Sequence, residues 1–239
     1  MTFEDIANLV EIEAPKIVAR IKNKRMKIFF CIAISFLVIP ALFAQTMKSF
    51  GSSVTETKLQ GKDVIKVSVD TNIKTFDEPT FAKLTDVNFH DGTIEVNVLS
   101  KFLANAPDWA RGFIGIAFRI NEDNSKFECM YIRPDNGRAN DQIRRNHSTQ
   151  YFSFPNFRFS DFRKTDPGKY ESYADMGMNE WIKLKIVVNG GHAQLFINDS
   201  KQPCLIVNDL KYGANMSGSI GLWVGNWTEG YFSNLKISN

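Results

Sequence analysis

Phe113-Ile-Gly-Ile-Ala-Phe-Arg-Ile120, a turn over residues 121–125, and Phe127-Glu-Cys-Met-Tyr-Ile-Arg133 together decide the fold of this chain. Both runs are rich in β-branched and aromatic residues and alternate with a period of two, the pattern of sheet strands. A five-residue connection sets the register so that Ile114, Ile116, Phe118 and Ile120 share one face with Met130 and Ile132. Glu128 falls on that same core side. The opposite face carries Gly115, Ala117 and Arg119 beside Cys129, Tyr131 and Arg133. Small residues next to one Tyr and two Arg leave room for a ligand, with polar groups aimed into it.

Outward from this hairpin the pattern repeats. Residues 64–69, 93–99 and 181–188 alternate or are β-rich, and Asn189-Gly190-Gly191 joins the last of these to 193–197. That is a hairpin signal, because the tight turn needs positive φ. Runs at 219–225 and 231–237 end the chain. No convincing helical period of useful length is present, so many short strands at regular spacing predict an all-β sandwich or barrel. Residues 134–180 are the exception: long, polar and poor in strand pattern apart from 148–154. They hold Tyr151, Phe152, Phe154, Phe157, Phe159, Phe162, Tyr170 and Tyr173, too aromatic for a disordered segment.

Gly112–Arg119, Phe127–Pro134, the 181–197 hairpin and Gly218–Gly225 with 231–237 together resemble the concanavalin A-like jelly rolls, and within them the laminin-G-like and 3-keto-disaccharide hydrolase-like group. The resemblance covers roughly 60–238. It implies a two-sheet antiparallel jelly-roll sandwich, with carbohydrate commonly taken by the concave face. It supplies no catalytic residues by itself, since this architecture hosts binding modules, glycosidases and lyases alike.

The N-terminal part reads differently. Lys22, Lys24, Arg25 and Lys27 precede residues 28–44, which carry no formal charge and end in Ala44 before Gln45. A cationic flank, an apolar core and a small residue at the end form the layout of a secretory signal. Two alternatives follow: translation starts at Met26 and residues 1–25 are not made, or 28–44 stays as a short uncleaved anchor. Both place residues 45–239, one β-sandwich domain, outside the cytoplasm, in the periplasm or secreted, because the basic flank stays inside. An exported domain excludes most nucleic-acid and nucleotide roles. The chain has 29 basic and 26 acidic residues; without the six basic and four acidic residues of 1–44 the domain keeps 23 against 22. No global field recruits polyanions, so any basic character is local. Membrane contact is expected only through the N-terminal segment. Cys31 lies in that segment, leaving Cys129 and Cys204, which form either one disulfide or two buried thiols.

Within 133–164, six arginines and Lys164 face three acids, Asp135, Asp141 and Asp161. Arginine favours a two-pronged grip on carboxylate, sulfate or paired hydroxyls, although a run of this kind is also met as a solvated loop held by Arg–Asp pairs. The run starts where the strand bearing Tyr131 and Arg133 ends. The candidate ligand-binding residues are therefore Arg119, Tyr131, Arg133, Asn136, Arg138, Gln142, Arg144, Arg145, Asn146, Gln150, Tyr151 and Trp223. Trp223, between Gly221 and Gly225, is either an apolar plate for a sugar ring or a cover for the sheet under the long loop.

A glycosidase needs two carboxyl groups across the scissile bond. The short Glu-x-Asp-x-x-Glu strand motif of concanavalin A-like endoglucanases is absent. The catalytic candidates are Glu171 in the loop, His147 as a base beside Arg144 and Arg145, and Tyr131 as a proton donor for an elimination. His90, His147 and His192 are scattered, so no metal site is expected, and no cofactor beyond a structural calcium that sequence does not reveal. The expected partner is an oligosaccharide or polysaccharide, acidic ones included. A hydrolase or lyase is the alternative, and a laminin-G-like interaction domain the third.

Overall fold

A computed structural model describes residues 46–238. The expected extension 1–25 and signal or anchor 26–44 lie outside the described residues, as does Cys31. Among the described residues no helix is long and apolar enough to cross a membrane.

The strands are β1 (Met47–Phe50), β2 (Ser52–Leu59), β3 (Lys62–Val69), β4 (Phe81–Leu84), β5 (Gly92–Phe102), β6 (Ile114–Ile120) and β7 (Phe127–Ile132). They continue with β8 (Thr149–Phe154), β9 (Glu171–Ser172), β10 (Ile182–Asn189), β11 (His192–Ile197), β12 (Leu205–Val207), β13 (Ser219–Val224) and β14 (Thr228–Ser238). One sheet runs β1-β4-β13-β6-β7-β8-β9 and the other β12-β11-β10-β5-β14-β3-β2, every pairing antiparallel. The expected two-sheet jelly-roll sandwich is therefore present. Three short helices, α1 (Pro134–Gly137), α2 (Gln142–Asn146) and α3 (Phe159–Thr165), break up the long polar and aromatic segment.

The main core lies between the sheets. Ile114, Ile116, Phe118, Met130, Ile132, Leu222 and Val224 from the first meet Val96, Val98, Ile182, Leu184, Ile186 and Phe232 from the second. Each aliphatic side chain so enclosed is worth about 1.5–3 kcal/mol over an exposed one. The β10–β11 hairpin turns through Gly190 at φ +56°, which glycine adopts without strain. Burial of Tyr151 in the inter-sheet core, its hydroxyl 2.6 Å from Glu128 Oε2, follows from the same alternation. Glu128 also accepts the Tyr212 backbone N–H at 3.0 Å, and burial raises its pKa despite both bonds.

One expectation about the decisive hairpin fails at its end. Arg119 adopts φ +53°, and Ser219 and Gly221 pair with Ile120 and Ala117, so that two residues of β6 oppose one of β13. This β-bulge reverses the alternation. Ile120 turns to the outer face, while Arg119 swings to the end of the inter-sheet layer. There it is fully buried and donates to His90 O (2.8 Å), Gly190 O (2.9 Å), Gly213 O (3.0 Å) and Asp91 Oδ1 (2.9 Å). Arg119 ties three loops together and takes no part in a site on the outer face.

Both cysteines are free thiols, Cys129 under the outer face of the first sheet and Cys204 beside Leu195 of the second. Burial pushes the Cys204 thiol up to about 12 and that of Cys129 well above its usual value.

Candidate functional site

The outer face of the first sheet is not the empty hollow that its glycines suggest. Phe81, Phe113, Ala117, Ile120, Phe127, Cys129, Tyr131, Phe152 and Trp223 form a second buried cluster there, flanked by Phe50, Phe76 and Phe154. Gly115 lies opposite both Tyr131 and Trp223, whose ring centroids stand 4.9 Å apart. A Cβ on Gly115 would lie 2.5 Å from Tyr131 Cβ. The glycine therefore serves close approach of the aromatic rings and leaves no clearance for a ligand. Trp223 is 1% exposed, and its indole N–H donates to Glu78 O at 2.9 Å. As placed, Trp223 covers the sheet and offers no plate to a sugar.

The polar part of this face gathers where β7, β8 and β9 end. Tyr131, Gln150 and Glu171 lie in register on one side, with Arg133 two residues beyond Tyr131. Arg133 is buried and donates to Tyr131 Oη (2.7 Å), Gln150 Oε1 (3.1 Å), Glu171 Oε1 (3.2 Å) and His147 O (3.0 Å). Its guanidinium carbon also lies 4.9 Å from the Tyr131 ring centroid and 5.7 Å from that of Phe159. Arg163 of α3 grips the other side of Glu171 with Nη2 to Oε1 at 2.7 Å and Nε to Oε2 at 3.2 Å. Burial alone would raise the Glu171 pKa, but the Arg163 bonds and the Arg133 and Arg163 charges outweigh it and hold the carboxyl below its usual range.

His147 Nδ1 stands 2.8 Å from Glu171 Oε2 but off the line of a hydrogen bond. Its side chain is 27% exposed. Burial lowers its pKa, with Arg163 and Arg133 acting in the same direction against Glu171. The imidazole is consequently neutral near pH 7. Beside it Arg144 Nη2 and Arg111 Nη1 share Asp135 Oδ2 at 2.7 and 3.6 Å, and Asn136 donates to His147 O at 3.1 Å. Arg145 donates to Tyr173 Oη at 2.8 Å. Its Nε is buried with no acceptor among the described residues.

Thus the structure brings together Tyr131, Arg133, Asn136, Arg144, Arg145, His147, Gln150 and Glu171 of the expected residues. Others lie apart. Tyr151 faces the inter-sheet core because it alternates with Gln150, and Arg119 is removed by the bulge. Arg138 is spent on Asp175 (2.8 and 3.3 Å) and Glu180 (3.0 Å), and Gln142 donates to Asn146 Oδ1 one helical turn on at 2.7 Å. Of the three catalytic candidates, Tyr131 is enclosed, with its pKa raised by burial, and Glu171 has both oxygens occupied. Only His147 reaches solvent.

Several members of the cluster were not singled out from sequence. Arg163 is found only through α3, and Arg111 only through the loop before β6. Trp109, 44% exposed, packs edge-on against Phe76 at 5.2 Å, and Phe76 in turn against Phe159 at 5.5 Å. Asp77 is buried below them and accepts the Phe159 N–H at 2.7 Å. Burial lifts its pKa to about 6 against the opposing pull of that bond, Arg133 and Arg158. The one signal available in the sequence was an aromatic density around 152–162 that needed a partner surface.

No family model matches the chain, and no curated protein matches it in sequence. Among solved structures it is similar to the carbohydrate binding module CBM66 from Bacillus subtilis, at 13% identity and TM-score 0.49, covering 80% of this chain and 98% of that one. It is similar also to the galectin LEC-6 of Caenorhabditis elegans (14%, TM-score 0.40, covering 69% and 95%). A third is the alginate lyase AlgAT5 from polysaccharide lyase family 7 (10%, TM-score 0.44, covering 80% and 84%).

Proposed function

We propose that this domain acts outside the cytoplasm as a carbohydrate-binding sandwich, and that it takes an acidic saccharide at the arginine cluster beside β9. The observation that carries this reading is Arg145: a buried Nε–H without an acceptor, in a guanidinium already held by Tyr173. A buried donor left unpaired costs about 1–3 kcal/mol, and a swing of the Arg145 side chain onto a ligand carboxylate would relieve it. Near it four arginines (111, 133, 144 and 163) are oriented by Asp135 and Glu171, so their forks are set before a ligand arrives. Trp109 and Tyr173, exposed by 44% and 39%, are the aromatic plates that this rim offers in place of Trp223.

Binding is favoured over catalysis. Glu171 is a low-pKa carboxylate fully engaged by arginines, which suits a positioning role and not a proton donor. Export is supported by the basic flank and the uncharged 28–44 stretch. The test is calorimetric titration of the intact chain with an oligogalacturonate at low and raised salt. Saturable binding that weakens with salt, and is lost in Arg145→Ala, supports the reading. Equal binding by Arg145→Ala, or none by the native chain, refutes it.

A further inference from the structure

On the same outer face, at the β1–β4 edge, lies a depression of about 590 Å³. Phe50 forms its floor, one wall is the loop after β3 with Asn72, Lys74 and Glu78, and the other is the β6–β7 turn with Asp123 and Asn124. None of these belongs to the arginine cluster. The volume falls within the range of small-ligand sites, about 300–1,000 Å³.

We propose that this depression is a second ligand site, one that takes a neutral, hydroxyl-rich sugar ring. Both walls are held by buried side chains from β4, from β13 and from the turn after β13. Lys83, nearly buried, donates to Asn121 O (2.8 Å), Glu122 O (3.1 Å) and Asn124 Oδ1 (2.8 Å), which pins the β6–β7 turn. Asn226 Nδ2 donates to Ile73 O (3.0 Å) and Thr75 O (3.2 Å), and Trp223 Nε1 to Glu78 O, which pins the other wall. Three buried polar groups are thus committed to holding two loops apart around a void.

The free groups match hydroxyls. Asn124 uses only Oδ1, so its amide N–H groups have no acceptor among the described residues, and the Asn72 side chain has no partner there. Asp123 receives Ser125 N (3.0 Å) and Oγ (2.7 Å) on Oδ1, and Glu78 receives Arg158 on Oε1, leaving one oxygen of each carboxylate. Amide donors alternating with carboxylate acceptors suit hydroxyls, which do both. The half-buried Phe50 ring offers the apolar plate for the C–H face of a pyranose. Lys74 in the wall, Lys83 beneath Asn124 and Lys48 over the Phe50 ring offset Asp123 and Glu78, so the selectivity of this depression rests on its hydroxyl-matching groups and not on net charge.

The experiment is amide chemical-shift mapping of the intact chain with methyl glycosides of glucose, galactose and mannose, and with glucuronate. Expected are saturable shifts at Asn72 and Asn124 with at least one neutral glycoside. Asn72→Ala, on an exposed loop, should raise the dissociation constant about tenfold, the loss of one good hydrogen bond. Arg145→Ala should leave it unchanged, which separates this site from the arginine site. Absence of saturable shifts at Asn72 and Asn124 with every neutral glycoside, or shifts confined to the Arg145–Tyr173 end, overturns the proposal.

Discussion

Arg145 and Tyr173 meet twice: Nη2 donates to the phenol oxygen at 2.8 Å, and the guanidinium carbon lies 4.8 Å from the centroid of the same ring. The pair fixes an arginine at the protein surface with its Nε still unpaired. Tyr173→Phe removes the hydrogen bond and keeps the stacking, so it should weaken binding of an acidic oligosaccharide by about 3–10-fold. Stability should move by less than about 1 kcal/mol, as for other exposed contacts. Titration paired with thermal melting checks both.

Trp223 and Trp109 should behave oppositely. Trp223 is enclosed against Tyr131 and Phe152, so Trp223→Ala should cost about 3–5 kcal/mol of unfolding free energy. Trp109→Ala should cost little stability and reduce saccharide affinity. Denaturant unfolding and binding of each variant decide the matter, and a Trp223→Ala protein of native stability would contradict the packing described here.

Asp77 makes a pH prediction with a defined sign. Its pKa is raised from 3.8 to about 6 in the folded protein. The contribution is fully present below pH 3.8 and is lost as pH rises through 6, leaving a penalty of about 3 kcal/mol at neutral pH. Asp77→Asn keeps the acceptor for the Phe159 N–H and suits the φ of +56°. It should therefore stabilise the protein above pH 6 and have little effect near pH 4. Melting curves of both proteins across that range test it.

Arg119→Lys should be severely destabilising, by about 3–5 kcal/mol, although the charge is kept. One ammonium cannot reach His90 O, Gly190 O, Gly213 O and Asp91 together, and buried carbonyls are left without donors. Chemical denaturation measures the loss.

The sandwich was legible in the sequence because the strands that face both sheets carry period-two apolar runs, as in 113–120 and 182–188. The β1–β2 edge was not, since Ser52–Leu59 is largely exposed and polar and has no apolar face to reveal it. The register of β6–β7 was legible up to Phe118 and then failed, because a bulge depends on the facing strand and leaves no mark in its own residues. Gly115 shows the other limit. A glycine beside large rings signals close approach, and the sequence does not say whether a ligand or Tyr131 and Trp223 will fill the space. Within the candidate site, Arg133, His147, Gln150 and Glu171 were legible as a polar run after a strand end. Arg163, Arg111 and Asp77 were not, because they arrive from segments that only the packing of 76, 113 and 159 brings together.

The nitrogen resonance of Arg145 Nε reports most directly on whether an acidic saccharide takes up its unpaired N–H. In the intact, arginine-labelled chain, adding a tri-galacturonate should shift that signal saturably, while the neutral galactose trimer leaves it in place. A protein that binds the uronate with the Arg145 Nε signal unmoved, or that binds no uronate at all, contradicts the account.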